Sequence, residues 1–318
     1  MKAIVVGEYG GPEELVLSDI PVPEFGPDEV LVRIHAAGVN PVDTYVREGN
    51  HPSAPPVPFT PGKDGAGMVE KIGEGVRGVS AGDRVYLAGS VTGTYAEFAV
   101  AKESQVRPLP GNVGFEAGAG IFVPYATAYL AVFKKGQPKP GDKLLVHGGS
   151  GAVGLAAIQW SKAAGLEVCA TAGSPNGLDL IRNNGVNLVY DHSSVGYLDR
   201  IKADTGGVDI ILEMLANVNL VEDFRVINKF GRIVVIGNRG TIEFNPRLAM
   251  TLDVDIRGLM LFNAGAEEFE RIHSEIYSGL ESGALKPHVG TRYSLVNAAE
   301  AHRAIIKEKA SGKIVLIP

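Results

Sequence analysis

The segment that most constrains the fold is a short apolar run that ends in clustered glycines and continues as an apolar stretch at helical spacing. It runs from Lys143 to Trp160 and contains Gly149-x-Gly151-x-x-Gly154. In such a strand–turn–helix, one glycine permits a tight turn, one lets the backbone approach a pyrophosphate, and one lets the helix pack against the strand. The phosphates then bind the free N–H groups of the helix that begins near Gly151. Because the chain has 41 glycines, the motif alone leaves open a glycine-rich turn without a ligand.

The residues after this motif alternate between continuous apolar runs and helix-like stretches. Such runs are typical of strands that are buried on both faces of a parallel sheet. With Lys143–Val146 they predict six strands, the others being Val168–Thr171, Leu188–Tyr190, Ile210–Met214, Ile233–Gly237 and Ile256–Phe262. The predicted helices between them are Leu178–Asn184, Tyr197–Asp204 and Val221–Asn228. The pattern predicts a complete doubly wound α/β sheet.

The N-terminal part of the chain has a different pattern. Its predicted strands are short, and proline and glycine residues interrupt them often. This is typical of a small β-barrel or sandwich. The predicted strands are Ala3–Val6, Glu14–Asp19, Glu29–Ala36, Gly67–Ile72, Arg84–Leu87 and Thr94–Val100. We therefore predict a separate β domain over residues 1–124 and a nucleotide-binding domain over residues 125–265.

The last part of the chain, residues 266–318, is predicted to return to the β domain. We expect a helix over Glu267–Ser278 and a last helix that opens with the capping box Asn297-x-x-Glu300. Lys307 and Lys309 would end that helix, where its dipole favours cations. The final strand is predicted over Lys313–Ile317.

Composition argues against several classes of protein. The 318 residues carry a net charge of −6, which gives no general attraction to nucleic acid or to an anionic membrane. The single cysteine, Cys169, lies in a predicted buried strand and cannot form an intrachain disulfide. The N-terminal apolar run is too short for a signal peptide, and no run of 18 apolar residues occurs. We therefore expect a cytoplasmic protein in a reducing compartment.

Several further motifs lie mostly outside the glycine-rich segment. They are Gly38–Tyr45, Pro61–Val69, Ala81–Val85, Gly93–Phe98, Pro124–Tyr129 and Glu213–Leu220. Together they resemble the medium-chain dehydrogenase/reductase superfamily and, within it, the zeta-crystallin-type quinone oxidoreductases. The resemblance covers nearly the whole chain. It implies a GroES-like β-barrel domain and a Rossmann domain, with the active site in the cleft between them.

Two positions distinguish the sequence from the zinc-dependent members of the superfamily. Those enzymes carry a cysteine after Gly-Val, where this chain has Asn40, and Gly-His-Glu where it has Gly62-Lys63-Asp64. One cysteine also cannot form a four-cysteine structural zinc lobe. We therefore expect no metal in the site.

A site without a metal favours an electron-poor acceptor. Reduction of an ordinary ketone develops a basic alkoxide, which usually needs a Lewis acid or a proton donor. Reduction of a quinone gives a phenol-like oxyanion with a pKa of roughly 10, by comparison with tyrosine. The resemblance accordingly implies an NADPH-dependent quinone oxidoreductase, with one-electron transfer to semiquinones left open.

The resemblance also assigns roles at the reacting centre, because in the family the Asn and Tyr of this stretch lie beside the nicotinamide. Asn40 would orient the substrate carbonyl, Tyr45 would contact cofactor or substrate, and Asp64 would be a third catalytic residue. Without the resemblance, Asn40 reads as a turn cap, Tyr45 as a packing residue and Asp64 as a turn residue.

The cofactor contacts that the resemblance implies lie mainly after predicted strands, at the edge where a doubly wound sheet binds its ligand. Besides Tyr45, they are Thr127, Ser150, Gly151, Ala152, Val153, Gly173, His192, Asn219, Ile236, Gly237, Asn238, Arg239, Leu259, Met260 and Leu261. A structural role for Thr127 and a surface position for His192 are the alternatives.

The choice of cofactor depends on the end of the second strand of this sheet. NAD-binding proteins usually place Asp or Glu there to hold the ribose diol. This chain reads Thr171-Ala172-Gly173-Ser174, with no carboxylate before Asp179, which favours NADPH. Some bacterial quinone reductases have a lysine where this chain has Gly177. The 2′-phosphate would therefore rely on Ser174, Asn176, backbone N–H groups or a basic residue from elsewhere.

Two other functions stay open at this point. One is an NADPH-dependent enone or enoyl reductase, although the enoyl-thioester reductases place a tyrosine in the loop that here reads Gly49-Asn50-His51-Pro52. The other is moonlighting as an AU-rich RNA binder or a crystallin-like structural protein, for which the sequence offers no basic stripe. The resemblance further implies a homodimer or homotetramer that assembles through the edge of the sixth strand.

Overall fold

The structure is a computed structural model that describes residues 1–307 and 311–318. Its strands are β1 (Lys2–Val6), β2 (Leu15–Asp19), β3 (Glu29–Val39), β4 (Asp64–Ile72), β5 (Arg84–Ala88), β6 (Phe98–Lys102), β7 (Val106–Pro108), β8 (Lys143–Val146), β9 (Glu167–Ala172), β10 (Leu188–Asp191), β11 (Val208–Glu213), β12 (Ile227–Val235), β13 (Asp255–Gly258), β14 (Val289–Ser294) and β15 (Lys313–Ile317).

The α-helices are mostly short in the first part of the chain and longer after residue 150. They are α1 (Pro41–Arg47), α2 (Phe115–Gly118), α3 (Thr127–Tyr129), α4 (Ala152–Ala163), α5 (Pro175–Asn183), α6 (Tyr197–Thr205), α7 (Ala216–Asn219), α8 (Arg247–Leu252), α9 (Ala266–Glu281) and α10 (Ala298–Lys307). The last α-helix begins directly after Asn297, which itself lies in a 3₁₀ turn over Leu295–Asn297, so the capping box stays a prediction. Lys309, which was expected in its last turn, lies outside the described residues.

The first of two compact units comprises Met1–Val123 and, among the described residues that follow, 277–307 and Gly312–Pro318. Its main sheet has the order β14-β15-β3-β4-β5-β7, with β6 also paired to β3. Alternate residues of these strands are apolar and meet in a closed core that contains Val32, Val85 and Leu316, each fully buried. The GroES-like β domain is confirmed. The final strand also returns to it, since Ile314 of β15 pairs with Val39 of β3.

The second compact unit comprises Pro124–Ile276 and contains a six-stranded sheet in the order β10-β9-β8-β11-β12-β13. Every neighbouring pair in this sheet is parallel. Leu145, Ile211 and Ile233 are fully buried, because helices cover both faces of such a sheet. The doubly wound Rossmann fold is confirmed.

One predicted helix is wrong. The segment Val221–Asn228 forms a 3₁₀ turn over Glu222–Arg225 and then the start of β12. Asp223 is fully buried there and binds His147, while Ile227 pairs with Val208 of β11. These long-range contacts override the local helical pattern. The sixth strand is also shorter than predicted, because β13 ends at Gly258 and a 3₁₀ turn follows over Leu261–Asn263.

The boundaries between the two compact units lie after Val123 and after Ile276. The predicted limits were 124 and 265, and the second of these falls just before α9, a continuous helix that the later boundary divides. Within the described residues, no helix combines the length and the apolar character needed to cross a bilayer.

Candidate functional site

The glycine-rich loop joins β8 to α4 in the second unit. A Cβ on Gly154 would lie 2.4 Å from the carbonyl oxygen of Gly148 and 2.7 Å from Cα of Gly149, so this turn of helix can approach the loop only without a side chain. Gly151 precedes α4 in an extended conformation, and Ala152 and Val153 form the first turn. The N–H groups of that turn have no carbonyl partner within the helix. The loop therefore fits a pyrophosphate group.

The other predicted cofactor contacts follow the remaining strands of the sheet, apart from Tyr45 and Thr127. Because all six strands are parallel, their carboxyl ends form one edge. The structure places there Gly173 and Ser174 after β9, His192 after β10, Asn219 after β11, Ile236, Gly237, Asn238 and Arg239 after β12, and Leu259, Met260 and Leu261 after β13.

The end of β9 has the features expected for a phosphorylated ribose. The ring of His192 packs against Gly173, since a Cβ on that glycine would lie 2.5 Å from Nε2 of His192. Ser174 precedes α5, and its Oγ accepts a hydrogen bond from Gly177 N–H at 3.2 Å. The hydroxyl hydrogen of Ser174 is still able to donate. The first carboxylate after the strand, Asp179, is exposed on α5.

The ends of β11 and β12 are tied together by their backbones. Ile236 N–H donates to Glu213 O at 2.9 Å, and Ala216 N–H donates to Gly237 O at 2.9 Å. A Cβ on Gly237 would lie 2.2 Å from Met214 O, so the position requires glycine. Asn238 and Arg239 are exposed beyond this junction. After β13, Leu261 is buried, whereas Met260 is 47% exposed.

Two further predicted residues of the second unit are buried. Ser150 lies in the glycine-rich loop, and Thr127 begins α3. Thr127 does not follow a strand of the sheet. Its burial agrees with either a structural role or a cofactor contact, and its assignment stays a prediction.

The predicted catalytic residues Asn40 and Asp64 meet in the first unit. Asn40 Nδ2 donates to Asp64 Oδ2 at 3.0 Å, and Val123 N–H donates to Asp64 Oδ1 at 3.0 Å. Lys313 donates from Nζ to Asn40 Oδ1 at 2.5 Å and to Asp64 Oδ2 at 2.7 Å. All three residues are at most 3% exposed. We call Asn40, Asp64 and Lys313 the amide–ammonium cluster.

A chain of buried polar groups continues from Asn40 through α1. Asp43 accepts hydrogen bonds from Asn40 N–H at 2.8 Å and from Tyr95 OH at 3.1 Å. The Tyr95 oxygen lies 3.1 Å from His302 Nε2, and Arg47 donates to His302 Nδ1 at 3.1 Å. Because arginine can only donate, Nδ1 of His302 accepts, and the proton of the neutral ring resides on Nε2.

Within this series of buried polar groups, the pKa values of Asp43 and His302 are shifted in opposite directions. Burial raises the pKa of Asp43 to about 6. Burial, together with the charge of Arg47, lowers the pKa of His302 to about 3. Tyr45 is half-buried on α1, and its assignment as a contact of cofactor or substrate stays a prediction.

A second buried group lies beside the glycine-rich loop and consists of His147, Glu213 and Asp223, which we call the carboxylate–histidine cluster. His147 Nε2 lies 2.9 Å from Asp223 Oδ1 and 3.8 Å from Glu213 Oε2. Glu213 Oε1 accepts from Leu215 N–H and from Asn219 Nδ2. Among the described residues, Glu213 Oε2 and Asp223 Oδ2 have no hydrogen-bond partner.

Burial raises the pKa of Glu213 to about 7, against the opposing charge of His147. Burial by itself would lower the pKa of His147, but the carboxylates of Asp223 and Glu213 outweigh it and raise that pKa. Both groups therefore hold protons more tightly than they do in water.

Sequence reasoning missed Lys313, His147, Glu213 and Asp223 as members of these clusters. Glu213 did give a signal, since it is a carboxylate at the end of an otherwise apolar buried strand. Lys313 gave none, because its partner Asn40 lies 273 residues away along the chain.

The amide–ammonium cluster does not fit a zinc ion. Zinc is held by thiolate, imidazole or carboxylate groups with lone pairs that are free to coordinate. Here Asn40 Oδ1 and Asp64 Oδ2 both accept hydrogen bonds from the Lys313 ammonium, which is itself a cation. The expectation of a site without metal stays a prediction.

Two family models match the sequence. One, described as alcohol dehydrogenase GroES-like domain, matches residues 26–111, and the other, described as zinc-binding dehydrogenase, matches residues 152–278. Human quinone oxidoreductase is 45% identical over an alignment of 321 positions that covers 100% of this chain and 98% of the relative.

Solved structures share the whole architecture. The Escherichia coli quinone oxidoreductase complexed with NADPH matches with a TM-score of 0.92 at 28% identity, and the match covers 100% of both chains. A structure named NAD-dependent alcohol dehydrogenase matches with a TM-score of 0.91 at 31% identity, again over 100% of both chains. These two structures share the fold but differ in the cofactor that their names give, so the fold alone does not select between NADPH and NADH.

Proposed function

The chain belongs to the quinone oxidoreductases of the medium-chain dehydrogenase/reductase superfamily, and on this basis we propose that its active site includes Asn40, Tyr45 and Asp64. It is an NADPH-dependent quinone oxidoreductase. The observation that carries the site assignment is the contact between Asn40 and Asp64 at the end of β3, where the amide is held by buried charged groups.

The second unit would hold the cofactor. The N–H groups of Ala152 and Val153 would bind the pyrophosphate beside Gly151, whose own N–H donates to Gly148 O at 3.0 Å. Ser174 and His192 would face the 2′-phosphate. The strand ends after β11, β12 and β13 would contact the rest of the dinucleotide. When bound, NADPH supplies the hydride, and the protein supplies position.

The first unit would hold the acceptor. Asn40 Nδ2 carries two hydrogens, of which Asp64 accepts one. We infer that the second N–H donates to the quinone oxygen on which negative charge develops. A phenol-like oxyanion needs only such a donor, whereas an alkoxide needs a stronger acid.

The test measures NADPH and NADH oxidation by the purified, chelator-treated protein with an ortho-quinone, a para-quinone and a conjugated enone. We expect turnover with NADPH and the quinones. If only the enone is reduced, the protein is an alkene reductase, and if no acceptor is reduced, the proposed function is wrong.

The cofactor assignment has its own variant. Ser174→Asp places a carboxylate at the end of β9, which should repel the 2′-phosphate and reduce the preference for NADPH over NADH by about tenfold or more. Ser282→Asp, an exposed serine of the other unit, is the charge-matched control. An unchanged preference in Ser174→Asp would remove Ser174 from the phosphate site.

We also propose that two copies of the chain pair through the free edge of β13. This strand lies at one end of the parallel sheet, and Ile256, Met260 and Phe262 are 39%, 47% and 42% exposed on and beyond it. Light scattering should give a dimer or tetramer for the wild type and smaller species for Ile256→Asp.

We place the protein in a reducing compartment such as the cytoplasm. The chain carries one cysteine, Cys169, and so lacks the intrachain disulfides that are common in oxidising compartments. The thiol is buried in β9, and burial raises its pKa to about 12. Cell fractionation with a compartment marker checks this assignment.

A further inference from the structure

Lys313 reaches the predicted catalytic amide because of the strand register. β15 runs antiparallel to β3, with Ile314 opposite Val39 and Val315 opposite Gly38. Continuing this register by one residue places Lys313 opposite Asn40. On the other side of β3, Asp64 of β4 lies opposite Gly38. Three strands thus bring an ammonium, an amide and a carboxylate to the same end of β3.

The ammonium is buried and bound on both sides. The Lys313 side chain is 3% exposed and that of Asp64 is 1% exposed. Nζ lies 2.5 Å from Asn40 Oδ1 and 2.7 Å from Asp64 Oδ2. A lysine is almost never buried unless it is paired, so this geometry is specified by its two partners.

Two glycines provide the space for the lysine stem. A Cβ on Gly38 would lie 2.6 Å from Lys313 Cε and 2.0 Å from Ala119 O. A Cβ on Gly120 would lie 3.3 Å from Lys313 Cγ. The aliphatic part of the Lys313 side chain therefore packs against two backbone positions that have no side chain, and a Cβ at Gly38 would displace it.

The ammonium fixes which way the Asn40 amide faces. It has three donors and no acceptor, so it can bind the amide only through Oδ1. Nδ2 must then face away from Lys313, with one hydrogen on Asp64 and the other directed elsewhere. A cation on the carbonyl end also polarises the amide and strengthens the hydrogen bonds that its N–H groups donate.

The same ammonium balances the charge of Asp64. Without it, the oxygen of a reduced acceptor would develop its negative charge beside a buried carboxylate, which costs free energy in a low dielectric. With it, the cluster is neutral and presents a polarised N–H group.

We propose that Lys313 is a positioning residue for the reduction, acting through Asn40 by holding the amide with Nδ2 toward the acceptor oxygen. This inference rests on the proposed quinone reduction. It adds a residue that does not touch the acceptor but sets the turnover rate.

The experiment is a double-mutant cycle on the full chain between Lys313→Met and Asn40→Ala. It measures kcat with a para-quinone, KM for NADPH and the melting temperature of each variant. Lys2→Met is the matched control, since Lys2 also pairs with an aspartate, Asp19, but at the exposed surface of the same unit. Activity is expressed per NADPH-binding site titrated by fluorescence.

We expect Lys313→Met to lower kcat by about 10- to 100-fold, which is less than the roughly 100- to 1,000-fold cost of removing an oxyanion donor, because the Asn40 amide remains and loses only its fixed orientation. KM for NADPH should change by less than about threefold, because the amide acts on the acceptor and not on cofactor binding. In the Asn40→Ala background, the same substitution should lower kcat by less than about threefold. Lys2→Met should match the wild type.

Equal losses of kcat in both backgrounds would show that Lys313 acts independently of Asn40 and would overturn the inference, as would an unchanged kcat in Lys313→Met. If Lys313→Met does not fold, Lys313→Met/Asp64→Asn removes both charges and takes its place. Asn40→Ala must then cost less in that background than in Asp64→Asn, so that the difference reports on Lys313 and not on Asp64. If the wild type itself fails to reduce quinones, the proposed function falls and this inference with it. Wild-type turnover without coupling overturns only the inference.

Discussion

The amide–ammonium cluster of the first compact unit and the carboxylate–histidine cluster of the second balance their charges in different ways. The amide–ammonium cluster pairs the carboxylate of Asp64 with the ammonium of Lys313. The carboxylate–histidine cluster has two carboxylates, Glu213 and Asp223, and only His147 as a possible cation. Two of its carboxylate oxygens have no hydrogen-bond partner among the described residues. The first cluster is complete with its own side chains, whereas the second needs a proton or another cation.

The pH response should differ in the same way. In the first unit, the raised pKa of Asp43 makes the fold less stable as pH rises from about 4 to 6, while the lowered pKa of His302 makes it more stable over about the same range. These contributions oppose each other. In the second unit, the pKa values of Glu213 and His147 are both raised, so both contributions are present at low pH and are lost as pH rises. The second unit should therefore dominate the pH dependence of stability above about pH 6.

The largest effect is expected from a substitution that breaks the amide–ammonium cluster. Lys313→Met leaves the carboxylate of Asp64 buried without its cation, which should lower the free energy of unfolding by about 3–5 kcal/mol. Lys313→Met/Asp64→Asn should recover most of this loss, because neither charge remains. Urea unfolding followed by far-UV circular dichroism measures both variants.

Lys2→Met is the control, since the pair between Lys2 and Asp19 is exposed and should contribute far less. If Lys313→Met and Lys2→Met are equally stable, Lys313 and Asp64 are not a buried ion pair in solution.

The second largest effect is expected in the pH dependence of stability and comes from the carboxylate–histidine cluster. The pKa of Glu213 is about 7 in the folded chain and 4.5 when unperturbed, so the folded state holds an extra proton between these values. Stability is then lost as pH rises from about 5 to 7, and the wild type should lose about 1–3 kcal/mol more than Glu213→Gln over this range. Urea midpoints at intervals from pH 5 to pH 8 give the two curves.

Asp43→Asn is the comparison variant in the first unit, and it should leave the slope above pH 6 unchanged. Parallel curves for the wild type and Glu213→Gln would mean that Glu213 holds no proton in this range and that another cation balances the cluster.

The two clusters also show what a sequence can and cannot predict. The positions of the glycine loop and of the residues after the strands could be predicted, because each depends on a few consecutive residues and on the shared edge of a parallel sheet. Their contacts with a cofactor stay predictions. Lys313 and Asn40 are joined by the register of two strands at opposite ends of the chain, which no local pattern encodes. Asp223 was wrongly predicted to lie in a helix. Its local structure depends on a contact with His147, which is 76 residues away and is not visible in the local sequence pattern. Motifs made of consecutive residues could be predicted from the sequence, whereas polar partners that tertiary structure brings together could not.

The smallest effect is expected from metal chelation, which tests whether a proton or a metal ion balances the carboxylate–histidine cluster. His147, Glu213 and Asp223 bring ligand atoms within 4.8 Å of one another, a donor set that is chemically able to hold a divalent ion. Proton uptake by Glu213 and His147 is sufficient to balance the charge, so we expect dialysis against a chelator to leave turnover within about twofold and the melting temperature essentially unchanged. Asp223→Asn, treated in the same way, is the matched control. If chelation lowers the melting temperature of the wild type but not that of Asp223→Asn, a metal ion and not a proton balances these carboxylates. The contrast between the two units would then be between two kinds of resident cation, a lysine ammonium in one and a metal in the other.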